Sequence, residues 1–442
     1  MIIQFKNRKK EIKEIKDVLN SRNFEFLIVY GRRRIGKTEL ILNATKNSKR
    51  IYYLATGENN LTRFYNVASK YDPNVIKLKK DWEILFDYLK DKTDVIILDE
   101  FQNLIKEDKN ILHLFQSIVD IILKKSNMKL ILLGSSVSMM TSKVLSYQSP
   151  LYGRKTESMN LKAISFFDLH DFFPSMNIKK LVEVYGFSDG IPFYLNKICD
   201  EFWKWLENEI KKESVFLKDE VDFLMRYEFE DVGTYKLILE AIANGHSKLN
   251  NIKNFIKVER TDISPYLRNL IEVDFIERKV PVTENIKSRE GRYYLSDNFL
   301  KFWFRFIYPN LSSLEEGILN TNTIKKEYNA YLGKIFEEIV KEFVIKSKFF
   351  KFDKIGGWWH KDKEIDLIAL NGDKEILFVE CKWKDNVNVI KILKNLKEKT
   401  KYVEWHNNKR EEYFCIVAKS FKRKIKEKNL YLFDLKDFEK KF

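Results

Sequence analysis

The sequence is poor in cysteine and histidine and has no long hydrophobic run. Its 442 residues include 3 cysteines and 5 histidines, and none shows the spacing of paired ligands. This scarcity excludes a disulfide framework and a zinc site built from cysteine and histidine. No run of about 18 apolar residues occurs, so no transmembrane helix is expected. The N-terminus becomes charged at Lys6, too early for a signal peptide, and the expected location is the cytoplasm.

Charged residues are abundant instead, with an excess of basic ones. The chain has 80 Lys and Arg against 64 Asp and Glu, a formal charge of +16. This excess favours a polyanionic partner, nucleic acid first and an anionic membrane second. A lysine-rich proteome or a thermophile surface gives the same charge, so both explanations stay open. A hydrophobic fraction of 44% indicates a folded chain, and the length predicts about two to four domains.

One segment matches the phosphate-loop pattern GxxxxGK[ST] in full, between an apolar run and a helix-forming stretch. Its glycines let the backbone curl so that N–H groups face phosphate oxygens, and Lys37 adds positive charge. Thr38 offers its hydroxyl to Mg²⁺. The residues expected to bind the nucleotide are Gly31, Arg32, Arg33, Arg34, Ile35, Gly36, Lys37, Thr38 and Glu39. The sequence therefore predicts a site for a nucleoside triphosphate with Mg²⁺.

A second apolar run, 95–98, ends in two carboxylates. Taken alone, this pattern is typical of a strand that ends in a solvated acidic turn. Beside a phosphate loop, the carboxylates gain a function because both would lie at the carboxyl edge of the sheet. Asp99 is then expected to bind Mg²⁺, and Glu100 is expected to polarise the attacking water.

Polar residues after the next apolar run, 130–133, are candidate sensors of the γ-phosphate. Ser135 is the preferred sensor, with Ser136 in reserve, and Gln102 is a further candidate. Arg154 is expected to supply positive charge to the leaving phosphate. A solvent-exposed arginine explains Arg154 equally well.

The apolar runs also predict the fold of the N-terminal part. They are continuous rather than alternating, as in strands buried on both faces, and helical patterns separate them. Such an alternation predicts an α/β protein with a parallel, doubly wound sheet over residues 1–160 and a helical extension to about residue 220. The runs lie at 26–30, 51–54, 95–98 and 130–133.

The phosphate loop and the two polar strand ends together resemble the archaeal ATPase family of P-loop NTPases, close relatives of the STAND class. The resemblance implies that the nucleotide is ATP. The segment Gly190-Ile191-Pro192 looks like the glycine–x–proline motif of that class, which implies that Pro192 packs near the adenine. Asp189 stands where the family usually has a second glycine, so the geometry of this turn stays open. Residues 5–8 resemble the N-terminal signature of the family, which lies close to the base.

The middle of the chain has a different pattern, which predicts short helices followed by a hairpin. This order is typical of a winged helix, for which Arg260, Arg268 and Asn269 are candidate DNA contacts. Docking of the nucleotide domain onto the C-terminal domain is the alternative function. The aromatic run 299–306 predicts a buried interdomain helix rather than a base-stacking platform. The expected elements are helices at 237–242, 249–255 and 262–270 and strands at 273–280 and 293–295.

The last hundred residues contain a second set of chemically useful side chains. Glu380 and Lys382 end one predicted strand and project to the same side, because residues two apart in a strand share a face. If this strand forms a hairpin with the strand before it, Asp366 lies beside Glu380 and Lys382. The two carboxylates suit Mg²⁺, and the lysine can orient a water or stabilise a pentacovalent phosphate. Glu337, on a helix predicted over 331–344, completes the candidate site.

This pattern resembles the PD-(D/E)XK nuclease superfamily in its D…ExK form, and the uncharacterised domain that commonly follows archaeal ATPases. The resemblance implies a restriction-endonuclease-like α/β domain with catalytic residues Glu337, Asp366, Glu380 and Lys382, of which Asp366 and Glu380 bind the metal. Such folds also persist as inactive binding modules, so retained catalysis stays open.

The sequence thus predicts a P-loop ATPase domain with a helical extension at 1–220, a winged helix at 221–310 and a nuclease-like domain at 325–442. The expected function is Mg²⁺-dependent ATP binding and hydrolysis coupled to DNA binding or cleavage. ATP and DNA are the expected partners, and an ATP-dependent oligomer is a further expectation. The alternative is a STAND-type switch whose C-terminal domain only binds a partner.

Overall fold

The chain folds into two β-sheets and a small hairpin that helices join together. A computed structural model provides this description. It describes residues 5–198, 201–212, 216–257, 262–407 and 409–440. Arg260, a candidate DNA contact named above, lies outside the described residues.

A parallel sheet of five strands, counted over the described residues, forms the N-terminal unit. The strands are β1 (Glu25–Tyr30), β2 (Arg50–Leu54), β3 (Val95–Asp99), β4 (Lys129–Gly134) and β5 (Glu157–Asn160), in the order β2-β3-β4-β1-β5. The first four coincide with the predicted apolar runs, which confirms the parallel α/β sheet. The sequence does not predict β5, because this edge strand is short, polar and largely exposed.

Helices cover both faces of this sheet. They are α1 (Lys9–Asn20), α2 (Lys37–Ala44), α3 (Asn60–Tyr71), α4 (Trp82–Leu89), α5 (Gln102–Glu107), α6 (Ile111–Ser117) and α7 (Val137–Met139), with short 3₁₀ or π segments at Pro73–Lys77, Ile118–Leu123 and Met140–Val144. Phe26 and Ile28 pack into one apolar core, and Leu27 and Val29 pack into another on the opposite face. This two-sided burial explains why the strands are continuously apolar.

Three strands of the sheet bring their carboxyl ends to one edge. Tyr30, the last residue of β1, pairs with Gly134, the last residue of β4, and β3 pairs in parallel with β4. Polar residues that follow parallel strands therefore meet at this edge. The edge gathers Gly31, Glu100 and Ser135.

The helical extension leads into the unit of three helices and a hairpin. Its elements are α8 (Ile178–Ser188), α9 (Pro192–Leu195), α10 (Phe202–Ile210), α11 (Phe216–Glu228), α12 (Gly233–Ala243), α13 (Leu249–Ile256), α14 (Ser264–Glu272), β6 (Ile276–Lys279), β7 (Arg292–Leu295), α15 (Asn298–Phe302) and α16 (Leu311–Glu315). The strands β6 and β7 pair antiparallel. This confirms the predicted order of helices α12 to α14 followed by a hairpin.

The aromatic run after β7 is buried, as the sequence predicts. Phe299, Phe302, Trp303 and Phe304 are each 0% exposed. They belong to an apolar core that extends from Ile164 to Phe438. The run therefore packs the interior and does not present a platform to bases.

The C-terminal unit contains a mixed sheet. Its elements are α17 (Thr321–Ser347), β8 (Lys354–His360), β9 (Lys363–Asn371), β10 (Glu375–Lys382), α18 (Val389–Thr400), β11 (Glu411–Ala418), β12 (Leu430–Phe433) and α19 (Leu435–Glu439). The strand order is β12-β11-β10-β9-β8, in which β8, β9 and β10 are antiparallel and β10, β11 and β12 are parallel. The predicted hairpin of β9 and β10 is confirmed. Helix α17 begins ten residues before the predicted start at Tyr331, because its polar first turns still bury Ile324 and Tyr328.

The segment between β6 and β7 rests on the C-terminal sheet. Val282 N–H donates to the carbonyl of Gly357 at 2.9 Å, and its side chain shares an apolar core with Trp358. The indole of Trp359 donates to the carbonyl of Glu290 at 3.0 Å. The tip of the hairpin is therefore an internal contact with β8.

No described helix combines the length and the apolar character that crossing a bilayer requires. Cys381 and Cys415 are free and buried on neighbouring strands.

We predict that Gly190→Ala destabilises the fold, because its added Cβ would lie 2.0 Å from the carbonyl oxygen of Ile164. Gly153→Ala is the matched control, since Gly153 also has a positive φ but open space around it. Gly190→Ala should lose at least about 2 kcal/mol more than the control in the free energy of unfolding. Denaturant unfolding of both variants measures the difference, and equal losses would contradict the packing described here.

Candidate functional sites

The phosphate loop is held in a tight curl by its surroundings. Gly31 has a φ of 149°, and a Cβ there would lie 2.5 Å from the carbonyl oxygen of Leu161. Only glycine fits such a close approach of two backbones. Pro192 borders the other end of the loop, since its Cγ lies 3.8 Å from the position that a Cβ on Gly36 would take. Pro192 thus lies against the loop, and its predicted contact with adenine stays a prediction.

Lys37 is buried and turned toward the loop backbone. Its ammonium donates to the carbonyls of Gly31 and Arg32, both at 2.9 Å. Burial lowers the pKa of Lys37 to about 8, although Glu100 and Asp99 oppose this shift. The ammonium therefore lies within the curl where phosphates are expected, bound to acceptors that it can exchange for phosphate oxygens.

Asp99 forms the centre of a compact polar group at the end of β3. Its Oδ2 accepts hydrogen bonds from the Thr38 hydroxyl at 2.6 Å and the Tyr52 hydroxyl at 2.9 Å. Its Oδ1 accepts from the backbone N–H of Glu100 at 2.8 Å. The structure thus brings the two predicted Mg²⁺ ligands, Thr38 and Asp99, into direct contact.

Glu100 lies next to this group and is enclosed by donors. Its Oε1 accepts from the Ser135 hydroxyl at 3.1 Å and lies 3.5 Å from the guanidinium of Arg33. Its Oε2 accepts from the Tyr227 hydroxyl at 2.9 Å and from the Gln102 amide. The contact with Ser135 joins the ends of β3 and β4, and the predicted role of Ser135 as a γ-phosphate sensor stays a prediction. Tyr227 is not anticipated, because it lies more than a hundred residues away in α11.

Ser136, the reserve sensor, and Arg154, the predicted source of charge at the leaving phosphate, contact other groups. The Ser136 hydroxyl donates to Glu228 at 2.9 Å. The guanidinium of Arg154 donates to Asp120 at 2.8 Å and to the carbonyls of Pro150 and Tyr152. Among the described residues, none of these hydrogen-bond partners belongs to the phosphate loop. The role of Arg154 at the leaving phosphate stays a prediction that requires this ion pair to open.

The three consecutive arginines of the loop each reach a different acidic partner. Arg32 forms an ion pair with Asp297, which follows β7. Arg34 donates to Glu220 of α11 at 3.0 and 3.1 Å, while Arg33 faces Glu100. The sequence identifies these arginines only as loop residues, since partners this distant leave no local signal.

The remaining loop positions and the flanking motifs are placed as follows. Ile35 is buried in the apolar core beneath the loop, and Glu39 lies in the first turn of α2. Arg8, in the N-terminal signature, donates to the carbonyl of Ile35 at 3.3 Å. Asp189 adopts a left-handed φ of 52°, so the position where the family usually has glycine keeps a glycine-like turn.

The residues present fit a magnesium-bound triphosphate. Helix α2 begins at Lys37 without a side-chain cap, so its first N–H groups can bind an anion. The buried Nε of Arg33 has no hydrogen-bond partner among the described residues, and a phosphate oxygen would supply one. Hydroxyl and carboxylate oxygens, which Thr38 and Asp99 provide, are the ligands that Mg²⁺ prefers.

The C-terminal carboxylates and lysine also come together. Glu380 accepts from the ammonium of Lys382 at 2.6 Å. Asp366 accepts from the backbone N–H of Cys381 at 2.7 Å. Burial and the nearby Glu380 raise the pKa of Asp366 to about 6. The three strand residues predicted from the D…ExK pattern therefore share one small region.

Two further side chains enter this region from helices. Glu337 of α17 lies close enough to Asp366 that burial and this charge raise its pKa to about 8, and Lys334 binds Glu337 at 3.0 Å. Lys399 of α18 donates to both oxygens of Glu380, at 3.1 and 3.0 Å. Lys399 is not anticipated, because lysine is frequent throughout this helix. Within the described ranges, no group of three or more His, Cys, Asp and Glu side chains is arranged to hold a metal ion.

Two of the candidate DNA contacts of the middle unit are exposed to solvent. Arg268 and Asn269 are exposed on α14, although the Asn269 amide also donates to the Tyr235 hydroxyl at 2.8 Å. Helix α14 contacts α7 of the N-terminal unit. The unit therefore lies between the two sheets.

The fold and the loop define the N-terminal unit as an ATPase domain. A family model described as an ATPase domain predominantly from Archaea matches residues 5–198, and one described as "Archaea bacterial proteins of unknown function" matches residues 303–401. The uncharacterized protein MJECL04 of Methanocaldococcus jannaschii is 53% identical over 442 residues, with 98% of this chain and 100% of that protein covered. The chain belongs to the family of this archaeal protein, and its N-terminal unit is an archaeal ATPase domain.

Two further similarities are shorter or more distant. A protein of the same organism called an uncharacterized ATP-binding protein, MJ0423, is 42% identical over 48 residues, which are 11% of this chain and 81% of that protein. The Walker-type ATPase PABY2304 of Pyrococcus abyssi superposes with a TM-score of 0.53 and 22% identity, over 68% of this chain and 96% of that chain. This likeness supports the α/β fold, and the family match confirms the predicted resemblance to archaeal ATPases.

We predict that Glu337→Gln stabilises the protein at alkaline pH. The raised pKa means that the folded state disfavours the charged form, so this penalty is absent below the ordinary value of 4.5 and complete above about 8. Below pH 4.5, the thermal midpoint of the variant should match that of the unaltered protein. Above about pH 8, it should exceed that of the unaltered protein by a few degrees. Glu327→Gln, exposed on the same helix, is the control. A midpoint difference that does not depend on pH would contradict the burial of this carboxylate.

Proposed function

We propose that the chain is a Mg²⁺-dependent ATPase whose nucleotide state controls a DNA-cleaving C-terminal site. The proposed units are the ATPase domain with its extension at 1–220, a winged helix at 221–310 and a nuclease-like domain at 325–442. The observation that carries the ATPase half is the meeting of Lys37, Thr38, Asp99 and Glu100 at one edge of the parallel sheet.

Each residue of this edge has a defined task in hydrolysis. Lys37 and the loop N–H groups bind the phosphates, and Thr38 and Asp99 would hold Mg²⁺. The metal, when bound, neutralises charge on the phosphate oxygens. Glu100 orients and polarises the attacking water, and Ser135 positions Glu100 through its hydroxyl. Pro192 borders the base, and Arg154 supplies positive charge at the leaving phosphate.

The C-terminal proposal is metal-dependent cleavage of a phosphodiester bond. Asp366 and Glu380 would hold Mg²⁺, Lys382 orients the water and Glu337 completes the acidic set. The support is that four separate positions in sequence supply interacting charges in one region, with raised pKa values for Asp366 and Glu337. Carboxylates kept close together against their own repulsion are typical of a functional site.

Coupling between the two sites is supported by the segment of β7. Arg292, its first residue, lies 3.8 Å from Glu364 and over the ring of Trp359 at 4.6 Å, at the margin of the C-terminal site. Asp297, just beyond its end, binds Arg32 of the phosphate loop. A movement of the loop is thereby transmitted over a short, hydrogen-bonded strand.

The alternative function is a STAND-type switch whose C-terminal domain binds a partner without cleaving it. The observation that favours it is the double neutralisation of Glu380 by Lys382 and Lys399, which competes with a metal ion. DNA contact through Arg268 and Asn269 and an ATP-dependent oligomer are compatible with either function. A nuclease assay distinguishes the two.

We predict that Lys37→Ala abolishes ATP binding, while Glu100→Gln keeps binding and loses at least about 100-fold in turnover. Calorimetry measures binding and phosphate release measures turnover. The exposed Lys46→Ala and Glu58→Gln are matched controls and should behave as the unaltered protein does. Undiminished turnover in Glu100→Gln would refute the assigned role of this carboxylate.

We predict Mg²⁺- or Mn²⁺-dependent cleavage of plasmid or branched DNA that Lys382→Ala reduces by about 100-fold or more. Lys384→Ala is the control, because Lys384 follows in the same segment and is exposed. Reactions with ATP, with a non-hydrolysable analogue and without nucleotide test the coupling. The absence of metal-dependent cleavage under all three conditions would establish the switch instead.

A further inference from the structure

The carboxylate of Glu100, the proposed water-polarising residue, has its hydrogen-bond acceptor positions filled by neighbouring side chains. A carboxylate has about four lone-pair positions on its two oxygens. Hydroxyl or amide donors from Ser135, Tyr227 and Gln102 occupy three of them, and the guanidinium of Arg33 lies against the remaining side at 3.5 Å. An attacking water therefore needs one of these donors to leave before it can donate to Glu100.

Tyr227 and Arg33 form a continuous group over this carboxylate. The guanidinium of Arg33 lies 3.5 Å from the ring centroid of Tyr227, and the Gln102 amide also donates to the Tyr227 hydroxyl at 2.5 Å. Burial and the charge of Glu100 raise the pKa of Tyr227 to about 12, so its hydroxyl keeps the proton that it donates.

Helix α11 carries Tyr227 on a face that is turned to the phosphate loop. Glu220 binds Arg34, and Phe223 lies 5.3 Å from Arg33. These residues and Tyr227 are spaced by three and four positions, so they share one side of the helix. The following residue, Glu228, binds Ser136 at the end of β4. The helix thus contacts the loop and the ends of both polar strands at once.

An adjoining side of α11 belongs to the core of the middle unit. Leu217 and Val221 are 0% exposed, and the indole of Trp303 donates to the carbonyl of Leu217 at 2.5 Å. A displacement of the middle unit therefore moves α11 relative to the loop.

We propose that Tyr227 and Arg33 are inhibitory positioning residues, which hold Glu100 in a resting arrangement until a triphosphate binds. This inference rests on the proposed role of Glu100 in hydrolysis. Phosphate oxygens in the loop compete for the guanidinium of Arg33, whose Nε lacks a partner among the described residues. When Arg33 moves, its contacts with Glu100 and the Tyr227 ring are lost together, and an oxygen of Glu100 becomes available to water.

The test compares steady-state ATP hydrolysis by the full-length Tyr227→Phe variant and the unaltered protein. Phenylalanine keeps the ring contact with Arg33 but removes the donated hydrogen bond. We expect kcat to rise roughly tenfold, while KM changes by less than about twofold because the ring contact with Arg33 of the loop is retained. The exposed Tyr147→Phe is the matched control and should leave both constants unchanged.

An unchanged or lower kcat in Tyr227→Phe overturns the proposed inhibition of Glu100 by Tyr227 and Arg33, provided that Glu100→Gln is inactive in the same assay. Normal turnover in Glu100→Gln instead refutes the proposed role of Glu100, so the two failures are distinguishable. Hydrogen–deuterium exchange of residues 216–228 in the unaltered protein is a second measurement that needs no variant. Exchange should become faster when a non-hydrolysable ATP analogue is added, and unchanged or slower exchange contradicts the proposed loss of contacts between α11 and the loop.

Discussion

The parallel pairing of β1, β3 and β4 is the constraint on which the nucleotide site depends. It places the ends of three separate apolar runs at one edge of the sheet. The loop, Asp99, Glu100 and Ser135 follow these ends, so the strand pairing alone brings them together. The 2.6 Å hydrogen bond between Thr38 and Asp99 is the direct result of this arrangement. The chemistry of the site is thus a consequence of sheet geometry before it is a property of individual side chains.

Much of the fold could be predicted because its signals are local. Continuous apolar runs identify β1 to β4, and the alternation with helices identifies the α/β class. The polar edge strand β5 and the first turns of α17 were not predictable, because their stability comes from distant packing. Thr38 is identified from the phosphate-loop pattern, and Asp99, Glu100 and Ser135 are identified from their positions at the ends of apolar runs.

The parts of the site that sequence reasoning misses are those supplied across the chain. Tyr227 and Asp297 contact the loop region from units that begin after the family match ends, and neither lies in a recognisable motif. Lys399 is one lysine among many in its helix, so only the fold reveals that it binds Glu380. Arg154 shows the reverse case. Its position in sequence suggests a role at the leaving phosphate, but in the structure its guanidinium forms an ion pair with Asp120.

The aromatic interior that runs from Ile164 to Phe438 has an evolutionary consequence. Phe438, in the last helix, stacks on Phe343 with ring centroids 4.3 Å apart and lies 5.8 Å from Phe167 in the ATPase extension. Residues from the ATPase extension and from the C-terminal unit are thus fitted to one another's shapes. A recombination event that joined this N-terminal half to the C-terminal half of a divergent relative would create mismatched volumes in a shared interior. The two halves are therefore expected to be inherited together, and to accumulate compensating substitutions as a single unit.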